Sequence, residues 1–255
     1  MPTVLVLSSL VAANRVGGCA QAAALERMDV DTVFIPTVLF GRHPGLGAPG
    51  GAATPQEILE GVIAGVEASG ALAGVDAMIV GYFATAKQVR VGARLIDQVR
   101  ATRPSARIVV DPIMGDEGTG LYVREEVAEA IARDLVSRAD LIAPNTWELA
   151  RLSDRPVDDA VSALAAAKSL GRAALVSSIP LGGDIGVLLT SPEGDFLAHH
   201  RRQDAAPKGT GDLLTAAFVG HWLKGRSDRD ALAAAVAEVA VLVTGGHADV
   251  SMGAL

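Results

Sequence analysis

The sequence predicts a three-layer α/β/α sandwich with a mostly parallel central sheet and no large separate lid domain. Along its 255 residues, short apolar runs alternate with longer helical patterns, as expected for strands joined by crossover helices. Half of the residues are hydrophobic but only 4% are aromatic, so Ala, Val and Leu must build the core. A chain of this length can bury most of its surface without covalent staples. It shows no linker, repeat or heptad and reads as a single domain over residues 1–255.

The opening Met1-Pro-Thr-Val-Leu-Val-Leu7 lacks the basic region of a signal peptide and is too short to span a membrane. It reads as the first buried strand, at 4–7, of a soluble, cytoplasmic protein. Further buried strands are expected at 33–35, 77–80, 108–110, 141–142 and 174–176. Helices are expected between them at 18–28, 55–69, 86–102, 125–136 and 157–170. Residues 42–53, rich in Gly and Pro, form the one long loop near the start. Residues 184–190 and 194–202 pair antiparallel around Ser191-Pro-Glu-Gly194, and helices at 212–223 and 228–244 follow. Ligands of such sheets bind at the carboxyl ends of the strands. The single cysteine, Cys19, excludes an intramolecular disulfide, and the net charge of −7 gives no reason to expect nucleic acid.

Ala206-Pro-Lys-Gly-Thr-Gly-Asp-Leu-Leu-Thr215 leads from a polar loop into an apolar helix. Gly209 and Gly211 permit a tight turn, and the first amides of a helix favour an anion. Asp212 would repel that anion. In one reading it is an ordinary helix N-cap. In the other, it takes the proton of a hydroxyl that attacks a phosphate, with Gly209, Thr210 and Gly211 around the transferred group. Lys208 is either a phosphate-steering cation or an exposed lysine.

Asp111, Asp116 and Glu117 place three carboxylates within seven residues after a buried strand. They are candidates for Mg²⁺, held largely through water, or are solvated turn residues. One strand later, Pro144-Asn-Thr-Trp-Glu148 has the spacing of a capping box, and the same Asn145 and Glu148 are placed to face phosphates and their metal. Ser177 and Ser178 end another strand, where they are candidates for a nucleotide phosphate. His199 and His200 are strand neighbours on opposite faces and unsuited to a shared metal.

Val110-Asp-Pro-Ile-Met-Gly-Asp116, Ala143-Pro-Asn-Thr-Trp-Glu-Leu149 and Gly209-Thr-Gly-Asp212, in this order, resemble the ribokinase superfamily and within it the pyridoxal kinases. Pro36-Thr-Val-Leu-Phe-Gly-Arg-His-Pro-Gly45 and Val80-Gly-Tyr-Phe-Ala-Thr85 strengthen the resemblance, which runs from Val4 to about Gly246. It implies MgATP-dependent phosphorylation of the 5′-hydroxymethyl group of pyridoxal, and of pyridoxine and pyridoxamine. It implies Asp212 as base, with Ser9, His43 and Tyr82 around the pyridine ring. Asp111, Asn145, Glu148, Ser177, Ser178, Lys208, Gly209 and Gly211 are the nucleotide-side candidates, and Asp111, Asp116 and Glu148 the metal-side ones. A homodimer and activation by a monovalent cation such as K⁺ are further implications. Ser9-Leu10, Gly17-Gly18-Cys19 and Gly41-Arg-His43 depart from the Ser-His, Gly-Asn and Ser-Asn-His common in the family, so the catalytic half is better matched than the acceptor half.

Two alternatives remain open at this level. A hydroxymethylpyrimidine kinase of similar fold often carries Gly-Thr-Gly-Cys where this chain has Gly-Thr-Gly-Asp. A catalytically silent vitamin or nucleotide binder would gain nothing from Asp212.

Overall fold

The computed structural model describes residues 1–203, 206–246 and 250–253. The chain begins with β1 (Thr3–Val11), α1 (Gly18–Glu26), β2 (Asp31–Phe40), β3 (Gly51–Ala53), α2 (Gln56–Ala68), β4 (Ala77–Val80), α3 (Ala86–Thr102) and β5 (Arg107–Val110). A small hairpin, β6 (Gly115–Asp116) and β7 (Gly120–Leu121), precedes α4 (Glu125–Asp134), β8 (Leu141–Ile142), α5 (Thr146–Ser153) and α6 (Ala160–Ser169). The chain then forms β9 (Ala173–Leu181), β10 (Asp184–Ser191), β11 (Gly194–Arg201), α7 (Thr210–Leu223), α8 (Asp228–Thr244) and β12 (Val250–Gly253).

The main sheet has the order β12-β11-β10-β9-β8-β5-β4-β1-β2-β3. The run from β9 to β2 is parallel, and β10, β11, β12 and β3 add antiparallel strands at the two sides. Alternation along the strands sends side chains to opposite faces. Leu5, Leu7, Met78, Val80, Ile108 and Val110 join one core, covered by α2 to α6. Val4, Val6, Ala77, Ile79 and Val109 join the other, covered by α1, α7 and α8. The central strands are buried on both sides, which is why they read as unbroken apolar runs. No helix among the described residues is long and apolar enough to cross a membrane.

Several expectations need correction. The 42–53 segment is not all loop, because Pro44–Leu46 forms a 3₁₀ turn and β3 pairs with the end of β2. Ser177 and Ser178 do not end their strand. The strand continues to Leu181, with a register shift opposite Gly186–Leu188 and Ser178 at φ 67°. They form a bulge, which keeps β9 paired while bending it. The expected helix at 125–136 stops at Asp134 and passes into a 3₁₀ turn, Val136–Arg138. The two-residue strands of the hairpin and β12 carry too little periodicity to be expected from sequence.

In β2, Pro36 cannot donate to the ladder, and the pairing with β1 shifts there, with Ser8 opposite Pro36 and Ser9 opposite Val38. At the start of α1, an added Cβ on Gly18 would lie 2.2 Å from the Phe34 ring. Glycine there is a packing requirement. Gly18→Ala is expected to lower stability by about 1–3 kcal/mol in urea titrations. Combined with Phe34→Leu, it should cost less than the sum of the two single changes.

Candidate active site

Because the central strands run parallel, their carboxyl ends share one edge of the sheet. This brings Ser9, Tyr82, Asp111, Asn145 and Ser177 to the same side of the molecule. The entrance of α7 meets that edge. Thr215, in the second turn of α7, donates its hydroxyl hydrogen to Asp111 Oδ2 at 3.1 Å.

Gly209 caps α7 at φ 92°, and an added Cβ would stand 2.4 Å from the carbonyl oxygen of Arg15. Glycine is required there on both counts. Asp212 is not the N-cap. It lies inside the first turn, and its Oδ2 accepts the amide of Gly17 at 2.7 Å, across to the start of α1. Its Oδ1 is shut from solvent and has no hydrogen-bond partner. Burial pushes its carboxyl up to about 6, against the lowering effect of the Gly17 amide. An ionised carboxylate with one bonded and one unpartnered oxygen, beside helix amides that lack internal acceptors, is equipped to receive a proton from a group bound at those amides.

Asp111 is buried, and its carboxyl is raised well above the usual range, first by burial and then by the negative charges of Asp212 and Glu148. Glu148 closes the capping box with Asn145, as the spacing predicts. It also reaches the preceding segment: Oε1 accepts the amides of Met114 at 2.7 Å and Gly115 at 3.3 Å, and Oε2 that of Asn145 at 3.0 Å. Burial lifts its carboxyl to about 7 despite these amides. Asn145 Nδ2 donates to the Gly115 carbonyl at 2.8 Å. The amides of Met114 and Gly115 are aimed at Glu148 by a turn in which Ile113 takes φ 31°. For a β-branched residue that conformation costs about 1–3 kcal/mol.

Asp116 lies at the rim of this buried pair, and its charge adds to the rise at Glu148. It is half-exposed on the hairpin, accepts the Thr119 amide and the Tyr122 hydroxyl, and lies 3.9 Å from Lys208 Nζ. Partial burial pushes its carboxyl up, but these hydrogen bonds and the lysine charge outweigh it and hold it below its ordinary value. No group of three or more His, Cys, Asp or Glu among the described residues is arranged to hold a metal ion. Within the expected set of Asp111, Asp116 and Glu148, Asp116 is engaged with Tyr122 and Thr119, and Glu148 with three backbone amides.

On the acceptor side, the structure separates the two serines. Ser8 Oγ accepts the Tyr82 amide at 3.3 Å. Ser9 Oγ instead lies against Gly17, where an added Cβ would come within 1.9 Å of it. Tyr82 is partly buried against the core, and burial raises its hydroxyl above its ordinary value. Its carbonyl accepts Thr37 Oγ1 at 2.6 Å. Buried Gln88 holds this region together, donating to the carbonyls of Thr37 and Thr54 and accepting the Ala84 amide. The His43 amide donates to Asn14 Oδ1 at 2.8 Å, and His43 Nδ1 accepts the Gly45 amide at 3.0 Å, which leaves the ring hydrogen on Nε2. Burial, then the charge of Lys208, lowers the imidazole below its ordinary value. Ser177 is half-buried and Ser178 exposed, with Ser177 bridged to Asn145.

Sequence reasoning missed Thr215, Gln88 and Asn14, each a polar residue whose partner is distant in the chain. A lone threonine inside the apolar run of α7 was the available signal for Thr215.

An acid and a glycine-opened helix entrance at the carboxyl edge of a parallel sheet covered on both faces define a phosphotransferase-type site. The sequence model described as phosphomethylpyrimidine kinase matches residues 52–253. A pyridoxine/pyridoxal/pyridoxamine kinase of Bordetella avium is 36% identical over 88% of this chain and 78% of its own. The fold is that of a pyridoxal kinase from Entamoeba histolytica, with a TM-score of 0.90 at 24% identity over 97% of this chain and 90% of the other. A Leishmania donovani pyridoxal kinase in complex with ADP and pyridoxine gives a TM-score of 0.88 at 26% identity, over 95% and 86% of the two chains. The chain belongs to the phosphomethylpyrimidine kinase family and stands among the pyridoxal kinases of the ribokinase-like superfamily.

The raised carboxyl of Asp212 has a consequence for stability. Its value is about 6 in the folded chain, against about 3.9 unfolded. The folded state therefore binds the proton more tightly, and the stability this gives is lost as pH rises from about 4 through about 6. Asp212→Asn removes the buried charge. It is expected to raise the calorimetric midpoint at about pH 7 and to lose that advantage near pH 3.5.

Proposed function

We propose that this protein transfers the γ-phosphoryl group of ATP to the 5′-hydroxymethyl oxygen of pyridoxal, pyridoxine and pyridoxamine, acting as a single kinase domain over residues 1–255. The observation that carries the reading is Asp212, fixed by the Gly17 amide and with Oδ1 buried and unpartnered in the first turn of α7. The acceptor oxygen attacks the γ-phosphorus and its hydrogen passes to Asp212 Oδ1. The bond from the γ-phosphorus to the β–γ bridging oxygen breaks, and ADP leaves. Amides around Gly209, Thr210 and Gly211 stabilise the charge developing on the transferred group. Lys208 faces the same entrance from the preceding loop.

Ser9, His43 and Tyr82 are assigned to the acceptor ring, and Asn145, Ser177 and Ser178 to the nucleotide side. Asp111 and Glu148 fit a hydrated magnesium ion, since both are buried hard oxygen donors and Asp111 lies in the field of Glu148 and Asp212. When bound, such an ion would neutralise phosphate charge, with Asp116 at the rim. A homodimer in the cytoplasm completes the proposal. A silent binder is disfavoured because it would keep the charge repulsion at Asp212 without using it.

The test is an acceptor panel with ATP. Pyridoxal should be phosphorylated more efficiently than hydroxymethylpyrimidine, and the reverse ranking would overturn the reading. Asp212→Asn should lower kcat by about 10²–10⁴-fold with the KM for ATP nearly unchanged. Tyr82→Ala should raise the KM for pyridoxal while leaving that for ATP in place. Equal losses on both substrates would put the ring elsewhere.

A further inference from the structure

The loop joining β1 to α1 touches both halves of the site. It first prolongs β1 beside β2, where the amides of Ala12 and Ala13 donate to the carbonyls of Phe40 and Gly41, each at 2.9 Å. Asn14 comes next, held in its own turn by Asn14 N to Val11 O and Val16 N to Asn14 O. Its side-chain oxygen accepts the His43 amide. The Arg15 carbonyl and Val16 then lie against Gly209. Gly17 donates to Asp212. Only two residues, Arg15 and Val16, thus separate the contact with the His43 segment from the contact with the acid.

The His43 segment needs such an anchor. Past Gly41 it is largely exposed, with Leu46 at 62%. Its internal bonds, Gly41 N and Arg42 N to Pro49 O, tie it to itself and not to the site. The bond from Asn14 reaches it from the loop that also holds Asp212.

We propose that Asn14 is a positioning residue for the acceptor: it clasps the His43 amide and, through residues 15–17, sets the His43 segment at a fixed place relative to Asp212. The inference rests on the kinase reading above. It assigns Asn14 to seating the acceptor ring and not to phosphoryl transfer, so its loss acts on acceptor KM and spares kcat.

The test is steady-state kinetics with pyridoxal and ATP for the native chain, Asn14→Ala, Asn14→Asp, His43→Ala and the Asn14→Ala/His43→Ala pair. Loss of one such hydrogen bond should raise the KM for pyridoxal by about three- to tenfold. Changes in kcat and in the KM for ATP should stay within about twofold. Asn14→Asp, whose carboxylate also accepts an amide hydrogen, should restore the native KM. In the His43→Ala background, Asn14→Ala should add less than about twofold, because the ring it positions is gone. Asn14→Thr, with a shorter accepting arm, should fall between Ala and the native residue and serves if Asn14→Ala does not fold. An unchanged pyridoxal KM, equal rises for both substrates, failure of Asp to restore, or multiplying effects of Asn14 and His43 would each overturn the role. A native chain that phosphorylates pyridoxal while any of these holds defeats the Asn14 role alone. A native chain inactive on every B6 vitamer defeats the kinase reading, and the Asn14 role falls with it.

Discussion

The hydrogen bond from the Gly17 amide to Asp212 Oδ2 organises the rest of the site. It joins residues 195 positions apart and locks the entrance of α1 to that of α7. One carboxylate oxygen is fixed, so the other has a defined direction. Glycine at 17 and 209 is what lets the backbones come this close, with Ser9 pressed on the first and Arg15 on the second. Farther along the same two helices, Gly220 accommodates Met28 and Leu25. The helices thus run side by side, and the acid sits where their starts converge.

The other acids show a different use of the same chemistry. Glu148 is a structural carboxylate in its visible contacts. It ties the cap of α5 to the turn after β5 and so couples two consecutive strand ends. Asp111 is tied to α7 by Thr215. Burial is the leading cause of the raised carboxyls in all three cases. What distinguishes Asp212 is its unpartnered oxygen, not its degree of burial.

The parts legible in the sequence were those encoded locally. The alternation of buried runs and helical patterns gave the layers and the parallel centre. Asn145 and Glu148, three residues apart, announced a capping box that the structure contains. The glycine-flanked Asp212 announced a special helix entrance, although its partner at Gly17 could not be read from spacing. Contacts such as Thr215 with Asp111, Gln88 with Thr37 and Asn14 with His43 depend on which strand ends lie side by side, and no local period reports that. The surroundings of the serines were not legible for a related reason. Alternation along a strand distinguishes Ser8 from Ser9, but the irregularity at Pro36 decides what each one faces. At Ser177 and Ser178 a bulge imitated a strand end. Asp111 and Asp116 are near in sequence but have different surroundings, one buried against Thr215 and the other on the hairpin with Tyr122.

The crowding of Asp111, Glu148 and Asp212 also bears on how long the ligand-free chain lasts. In an unfolded chain these acids are solvated and far apart, whereas in the native chain Asp111 is repelled by both Asp212 and Glu148 in a dry setting. That repulsion is an opposing load on the fold, located at the carboxyl edge of the sheet. A bound species that brings positive charge to this edge relieves it and shifts the folding balance by mass action. Persistence of the native chain is thus set jointly by its apolar layers and by the cations that reach this edge.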